Sequence, residues 1–275
     1  MTDVEVFVDP SCPWAWITSR WVLEVAPGRD LAVYWRSYCL EIRDDYDVAP
    51  TVPEDFWQRA LDGHALSHRM LRIFEAARAT AGEDMVGHLY TEWGRRFFLP
   101  ERLDAGNLLA DCIAASGLDA TLIEAADDEK WDAPIRDAME VAYAFGGPKT
   151  QTPTIVVRAD PSHGFKGPVM APAPQGDDAL RLWDAIQVLS EYQGFFEISR
   201  PAPTLPGWNY LSRRSVVASS AATLTTRVPL DVLFLASSIR AGPSGPGVGL
   251  DEDAVGAYRP GLDQAELQST NALWK

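Results

Sequence analysis

The sequence predicts an α/β fold in which a small β-sheet with flanking helices is interrupted by an all-helical insertion. Three observations support this prediction. The first fifty residues alternate strand-like and helical runs, the next hundred show helical periodicity alone, and two further strand-like runs and a helix follow. We therefore predict one α/β domain in two parts, residues 1–50 and 149–202. The helical insertion, residues 51–148, separates these parts, and a C-terminal extension, residues 203–275, follows them.

The opening strand and helix follow from local pattern. Residues 4–8 form an apolar run rich in valine, which is typical of a buried strand. Pro13 suits the first turn of a helix that continues toward residues 27–28. Cys12 is therefore expected at or just before a helix N-terminus. Residues 31–38 alternate apolar and polar side chains, which predicts a second strand and a β-α-β opening.

The insertion and the closing elements have equally distinct patterns. Between residues 54 and 145 apolar residues recur at helical spacing, and the last of these helices is expected at 130–145. Residues 152–157 and 163–165 then read as two strands of a hairpin. A last helix over residues 180–189 completes the predicted fold.

Composition restricts the partners. The 275-residue chain has a formal net charge of -15 and a pI near 4.6, which argues against nucleic acid and anionic membrane surfaces and favours a small-molecule substrate. Two acids lie among the first five residues, where a secretory leader would be basic, and the apolar run 228–239 is too short to span a bilayer. We expect a cytoplasmic protein without a membrane segment.

The C-terminal extension has a different composition. It contains a Ser/Ala/Thr run over residues 215–226 and a Gly/Pro run over residues 241–249. Such runs are typical of linkers or disordered segments. The extension 203–275 is therefore predicted to be poorly ordered.

Cys12 is the principal candidate nucleophile. It lies in Ser-Cys-Pro-Trp-Ala-Trp, the frame of a redox-active Cys-x-x-Cys turn with Ala15 in place of the second cysteine. Without that cysteine, thiol chemistry at Cys12 must be completed by an outside thiol. A helix N-terminus stabilises a thiolate, so we expect the pKa of Cys12 to lie below the free value of about 8.5. The alternative is a buried, inert cysteine.

Five further residues are candidates for binding a substrate or thiol. Thr152 and Pro153 head an apolar strand, and a cis bond there would leave the preceding backbone free to pair with a docked thiol; an ordinary trans proline is the alternative. Pro13, Trp14 and Trp16 surround the cysteine. Either tryptophan could form a wall of the site, and both could equally belong to the core.

The remaining metal and thiol candidates favour structural roles. His64 and His68 are spaced i,i+4, but no acid or cysteine at ligand spacing completes a set, so no metal is predicted. Cys39 and Cys112 could act as distant resolving thiols. Each occupies an apolar position, which favours a buried free cysteine. The three cysteines are also too few and too scattered for a disulfide framework, which suits a reducing compartment.

These motifs together resemble the DsbA-like branch of the thioredoxin superfamily and, more closely, the actinobacterial mycothiol-dependent nitroreductases. The family motif Asp-Pro-x-Cys-Pro-Trp-Cys-Trp-Ile-Thr-Ser-Arg-Trp matches residues 9–21 except at Ala15. Further matches are found at residues 152–155, 167–169 and 182–185. The likeness extends over about residues 4–200.

The resemblance implies a thioredoxin-like fold with a helical insertion (DsbA-like), mycothiol as reducing cosubstrate and often a homodimer. It also implies a cis Pro153, a nucleophilic Cys12 that forms the mixed disulfide, and a ligand-contacting Trp14. The chain departs from the family at Ala15, and Asp44 and Phe98 occupy positions where an asparagine and a histidine of the substrate pocket are expected.

Three functional hypotheses follow. The first is a monothiol oxidoreductase in which Cys12 forms a mixed disulfide with a low-molecular-weight thiol and acts on a small electrophilic or disulfide substrate. The second is a transferase or isomerase whose bound thiol is the nucleophile, with Cys12 only hydrogen-bonded to it. The third is a thiol-binding protein that has lost turnover.

Overall fold

The computed structural model describes residues 1–43, 54–98 and 105–199. Asp44 and the predicted extension 203–275 lie outside these residues. The strands are β1 (Thr2–Val8), β2 (Leu31–Ser37), β3 (Thr154–Val157) and β4 (His163–Lys166). The helices are α1 (Pro13–Arg29), α2 (Leu40–Arg43), α3 (Glu54–Ala81), α4 (Glu83–Phe97), α5 (Ala105–Ala115), α6 (Asp132–Gly146) and α7 (Gly176–Glu191). Two 3-10 segments, Ala120–Asp127 and Glu129–Trp131, precede α6.

The four strands form one mixed sheet in the order β2-β1-β3-β4. β1 pairs in parallel with β2 and antiparallel with β3, and β3 pairs antiparallel with β4. Helices α3 to α6 separate the β-α-β opening from the β-β-α close. The predicted thioredoxin-like class with a helical insertion is confirmed by this order of elements. The division into four segments at the stated boundaries remains a prediction.

The central position of β1 explains its composition. β1 has a neighbouring strand on each side, and Val4, Val6 and Val8 on one of its faces are fully buried, whereas Asp3 on the other face is exposed. Beside it α1 packs against α7, where Trp21 Nε1 donates to the Ala179 carbonyl at 3.1 Å and the Trp21 ring lies 5.7 Å from that of Trp183. The sheet and these two helices fix the end of β1, from which the chain enters the Cys12 turn.

The helical insertion reaches α1 through a close contact at Gly94 of α4. A Cβ atom at this position would lie 2.2 Å from Cζ3 and 2.3 Å from Cε3 of Trp16. The missing side chain therefore allows α4 to lie directly against the indole. Across the described ranges, no helix is both long and apolar enough to cross a bilayer.

The Gly94→Ala variant tests this contact. Helix propensity alone would stabilise α4 by up to about 1 kcal/mol. We expect the clash with Trp16 to outweigh this gain, so that the free energy of unfolding falls by about 1–3 kcal/mol. Urea titration would measure the change, with His88→Ala at an exposed position of the same helix as the matched control. An unfolding midpoint for Gly94→Ala at or above that of the parent protein would show that Trp16 does not pack as described.

Candidate active site

Cys12 is the N-cap residue of α1, and Pro13 occupies the first helical position. The backbone of Cys12 is extended (φ -78°, ψ 111°), and the Cys12 Sγ accepts from the Ala15 amide at 3.4 Å. The thiol also donates to the Thr152 carbonyl at 3.5 Å. The prediction that Cys12 lies at the helix start is therefore confirmed. The structure joins it to the Thr152-Pro153 segment, which is 140 residues away in the chain.

The expectation of a lowered pKa for Cys12 is wrong. Burial raises the pKa of the thiol to about 12, because only 1% of the residue is exposed and a thiolate there would be poorly solvated. The hydrogen bond from the Ala15 amide opposes this shift, the Asp9 charge adds to it, and the Trp14 amide opposes it more weakly. A position at a helix start is thus insufficient to lower the pKa of a cysteine when its sulfur is removed from water.

Alkylation kinetics would measure this shift. Below its pKa the sulfur is a thiol, so at pH 7 Cys12 should react with iodoacetamide at least about tenfold more slowly than a free thiol of pKa about 8.5. Its rate should still rise with pH at pH 10. The urea-unfolded protein, with exposed cysteines, is the control. A plateau in the rate near pH 8 to 9 in the folded protein would contradict the raised pKa.

The Thr152-Pro153 segment is tied to the end of β1 by a side chain. Thr152 Oγ1 accepts from the Asp9 amide at 3.1 Å and donates to the Phe7 carbonyl at 3.0 Å. The Thr152–Pro153 peptide bond is cis. The hydroxyl satisfies two buried backbone groups and places the Thr152 carbonyl beside Cys12.

Both tryptophans of the motif are 5% exposed, and Trp16 has well-defined neighbours. Its ring stacks with Phe98 at 6.0 Å, meets Tyr90 edge-on at 5.7 Å and lies 4.0 Å below the Arg20 guanidinium. Phe98, where the family is expected to carry histidine, thus lies against the motif of Cys12. Thiol-binding roles for Trp14 and Trp16 remain predictions.

The two histidines of α3 have different surroundings. His64 is buried. Burial lowers its pKa, and the smaller effects of the Asp9 and Glu41 charges raise it. His68 uses both ring nitrogens, with Nδ1 at 2.6 Å from Glu41 Oε2 and Nε2 at 2.7 Å from Asp132 Oδ1. In the described part of the chain, no group of three or more ligating side chains is arranged to hold a metal ion.

The other two cysteines are free and fully buried. Cys39 follows β2, whereas the Cys12 sulfur points to the carbonyl before β3, and these strands flank β1 on opposite sides. Cys112 lies on α5 in the insertion. Structural roles for both cysteines remain predictions.

Sequence reasoning gave no role to Asp9, although it belongs to the recognised motif. Its carboxylate is fully buried and accepts from Ser11, Ser67 and Leu40. An acid directly after a buried strand is the signal that could have indicated it. Ser67 had no comparable signal, because it meets Asp9 only through the packing of α3.

A groove of about 450 Å³ lies between α2 and α3. Its volume is in the range of small-molecule sites. Its charged side chains are paired with one another or with neighbours, as in the contacts of Arg69 with Asp127 and of Arg72 with Asp132. It is lined by Glu41, Ile42, Ala65, His68, Arg69, Arg72 and Asp127. α2 also leads to the cysteine turn, because the Leu40 amide at its start donates to Asp9.

A family model described as the mycothiol-dependent nitroreductase Rv2466c matches residues 11–200, which is 190 of the 275 residues. The match includes both Cys12 and the Thr152-Pro153 segment. The chain is also 26% identical over 206 residues to the uncharacterised Mycobacterium tuberculosis protein Rv2286c, covering 73% of this chain and 83% of that protein.

Two solved structures have a similar chain path at low identity. The Pseudomonas aeruginosa cytosolic disulfide reductase DsbM with GSH has a TM-score of 0.46 and 18% identity, with 68% of this chain and 100% of DsbM covered. SCO1869 from Streptomyces coelicolor, described as a probable DsbA oxidoreductase, has a TM-score of 0.46 and 18% identity, with 75% of this chain and 97% of SCO1869 covered.

Proposed function

Since the chain belongs to the Rv2466c-like family of mycothiol-dependent nitroreductases, we propose that its oxidoreductase chemistry depends on a single cysteine, Cys12, and on mycothiol as the thiol cosubstrate. The observation that carries this proposal is the position of the Cys12 sulfur, at the start of α1 and hydrogen-bonded to the Thr152 carbonyl. The fourth position of the turn is Ala15, which has no thiol. A disulfide on Cys12 must therefore be resolved from outside.

The proposed cycle has two exchange steps. The Cys12 thiol gives up its proton and attacks one sulfur of a small disulfide, forming a mixed disulfide while the other half leaves as a thiol. Mycothiol then attacks the substrate sulfur of the mixed disulfide and releases Cys12. The products are free Cys12, one thiol and the disulfide of mycothiol with the other half of the substrate. No other reductant is needed, because each step exchanges one S–S bond for another.

Access to the sulfur is part of this proposal. Cys12 is 1% exposed, so side chains around it must move before a disulfide can reach it. The groove between α2 and α3 is the candidate site for the non-sulfur part of the thiol, because α2 begins at Leu40, whose amide donates to Asp9 next to the cysteine turn.

A turnover assay tests the function. The full-length protein would be incubated with mycothiol and, separately, with small disulfide, nitro and quinone substrates, and consumption of mycothiol would be followed. We expect turnover of at least one class, retained in the Cys39→Ser and Cys112→Ser variants. Tight binding of mycothiol without turnover of any class would instead identify a non-catalytic thiol-binding protein.

A second function is favoured by the raised pKa of Cys12. A group that stays protonated at neutral pH is a hydrogen-bond donor, and it could stabilise the thiolate of a bound cosubstrate that is itself the nucleophile. The protein would then be a transferase or isomerase in which Cys12 undergoes no redox change. Homodimer formation and cytoplasmic location, the remaining expectations from the sequence, stay predictions.

A further inference from the structure

The Asp9 carboxylate is the only acidic side chain of the described residues that is fully buried beside the cysteine turn. Its Oδ1 accepts from the Ser11 amide at 2.7 Å, from Ser11 Oγ at 2.5 Å and from Ser67 Oγ at 2.6 Å. Its Oδ2 accepts from the Leu40 amide at 2.7 Å. The group therefore connects the Cys12 turn, the start of α2 and the middle of α3.

All four hydrogen bonds are donated to Asp9, which is the arrangement expected around an ionised carboxylate. Among the residues the structure describes, no lysine, arginine or histidine forms an ion pair with it. Hydroxyl and amide dipoles disperse the charge but leave it at minus one. A buried charge without a counter-ion acts on its neighbours with little screening.

The charged and titratable groups around Asp9 do not cancel this charge. On the α2 side, burial raises the pKa of Cys39, which keeps that thiol neutral, and Glu41 is an acidic residue. On α3, burial lowers the pKa of His64, so its ring is neutral at pH 7. On α4, burial raises the pKa of Tyr90, which keeps the phenol neutral. A second negative charge on the Cys12 sulfur would add directly to that of Asp9.

We infer that Asp9 is a positioning residue that holds Cys12 in its protonated form and so favours the uncharged mixed disulfide over the free thiolate. The backbone provides the geometry, because the Cys12 amide donates to the Asp9 carbonyl at 3.0 Å. The Asp9 charge raises the pKa of the Cys12 thiol, in addition to the larger increase that burial causes. This direction agrees with the inference. In the exchange step the Cys12 proton leaves with the departing thiol, and the neutral S–S bond remains beside Asp9.

The consequence for the cycle, which rests on the proposed function, is a long-lived mixed disulfide. Resolution by an incoming thiol must expel Cys12, and a sulfur held beside a carboxylate is a poor leaving group, so this step is slow. The half of the disulfide that is bonded to Cys12, which is mycothiol when oxidised mycothiol is the disulfide attacked, should therefore accumulate. Asp9 would set the fraction of the protein that carries a mixed disulfide on Cys12 at a given ratio of oxidised to reduced mycothiol.

Two variants of the full-length protein separate a charge effect from loosening of the fold. Asp9→Asn removes the charge, and Ser67→Ala removes one donor to the same oxygen while the charge stays. The rate of Cys12 alkylation would be measured from pH 6 to pH 10 by peptide-resolved mass spectrometry. Cys112, which is fully buried on α5, serves as an internal gauge of unfolding.

We expect Asp9→Asn to raise the Cys12 rate about tenfold at fixed pH and Ser67→Ala to lower it about two- to threefold, with Cys112 unchanged in both. A rate for Asp9→Asn at or below that of the parent protein would overturn the inference, as would parallel increases at Cys12 and Cys112. If Asp9→Asn does not fold, Ser67→Ala decides alone, since an unchanged or higher rate would contradict the charge effect. The test uses no mycothiol, so it can fail or succeed independently of the proposed function.

Discussion

Replacement of Cys12 by serine is expected to abolish mycothiol-dependent turnover, with a loss of at least about 100-fold. Serine preserves the N-cap hydrogen bond to the Ala15 amide, so the start of α1 should persist. A hydroxyl cannot form the mixed disulfide, however, and no other thiol is placed at the Thr152 carbonyl in the described structure. Stopped assays of mycothiol consumption at saturating substrate would measure the loss.

The Cys39→Ser variant is the matched control, because it also replaces a fully buried cysteine near the end of a strand of the same sheet. Its turnover should stay within about threefold of the parent value. If Cys12→Ser retains most of its activity, the bound thiol is the nucleophile and Cys12 acts only as a hydrogen-bond donor. Thermal unfolding of both variants would show that neither result reflects loss of the fold.

The Ala15→Cys variant is expected to convert the protein to an internal redox pair. Ala15 is fully buried in the first turn of α1, and its amide lies 3.4 Å from the Cys12 sulfur. A thiol at this position has the Cys-x-x-Cys spacing and is held near any disulfide on Cys12. Intramolecular attack should then shorten the lifetime of the mixed disulfide by at least about 100-fold.

Mass spectrometry after treatment with oxidised mycothiol would follow this change. Ala15→Cys should appear as an internal disulfide without the mycothiol adduct, whereas Ala15→Ser should accumulate the adduct as the parent protein does. A persistent adduct on Ala15→Cys would mean that the turn cannot bring the two sulfurs together, and that Ala15 alone does not explain the single-cysteine chemistry.

The order of elements could be predicted because each depends on local pattern. The valine-rich run of β1, the proline at the start of α1 and the helical periods of the insertion are all properties of neighbouring residues. The position of Cys12 at a helix start was predictable for the same reason. The short helix α2 was not foreseen, since four residues have too little periodicity to stand out.

The chemistry of the site was less predictable, because it depends on contacts between distant residues. Burial of the Cys12 sulfur results from packing of the insertion and of the Thr152 segment, 140 residues away. The bond between Asp9 and Ser67 spans 58 residues, and the stack of Phe98 on Trp16 likewise joins the insertion to α1. Local sequence predicted an activated thiolate, whereas tertiary burial produces a protonated thiol.

The most direct test of the account is the intact mass of the full-length protein after incubation with oxidised mycothiol, followed by peptide mapping. The account predicts one mycothiol adduct per chain, located on Cys12, removed by excess reduced mycothiol and absent from Cys12→Ser. An unmodified chain, or an adduct located on Cys39 or Cys112 instead, would contradict the claim that Cys12 carries the chemistry through a mixed disulfide.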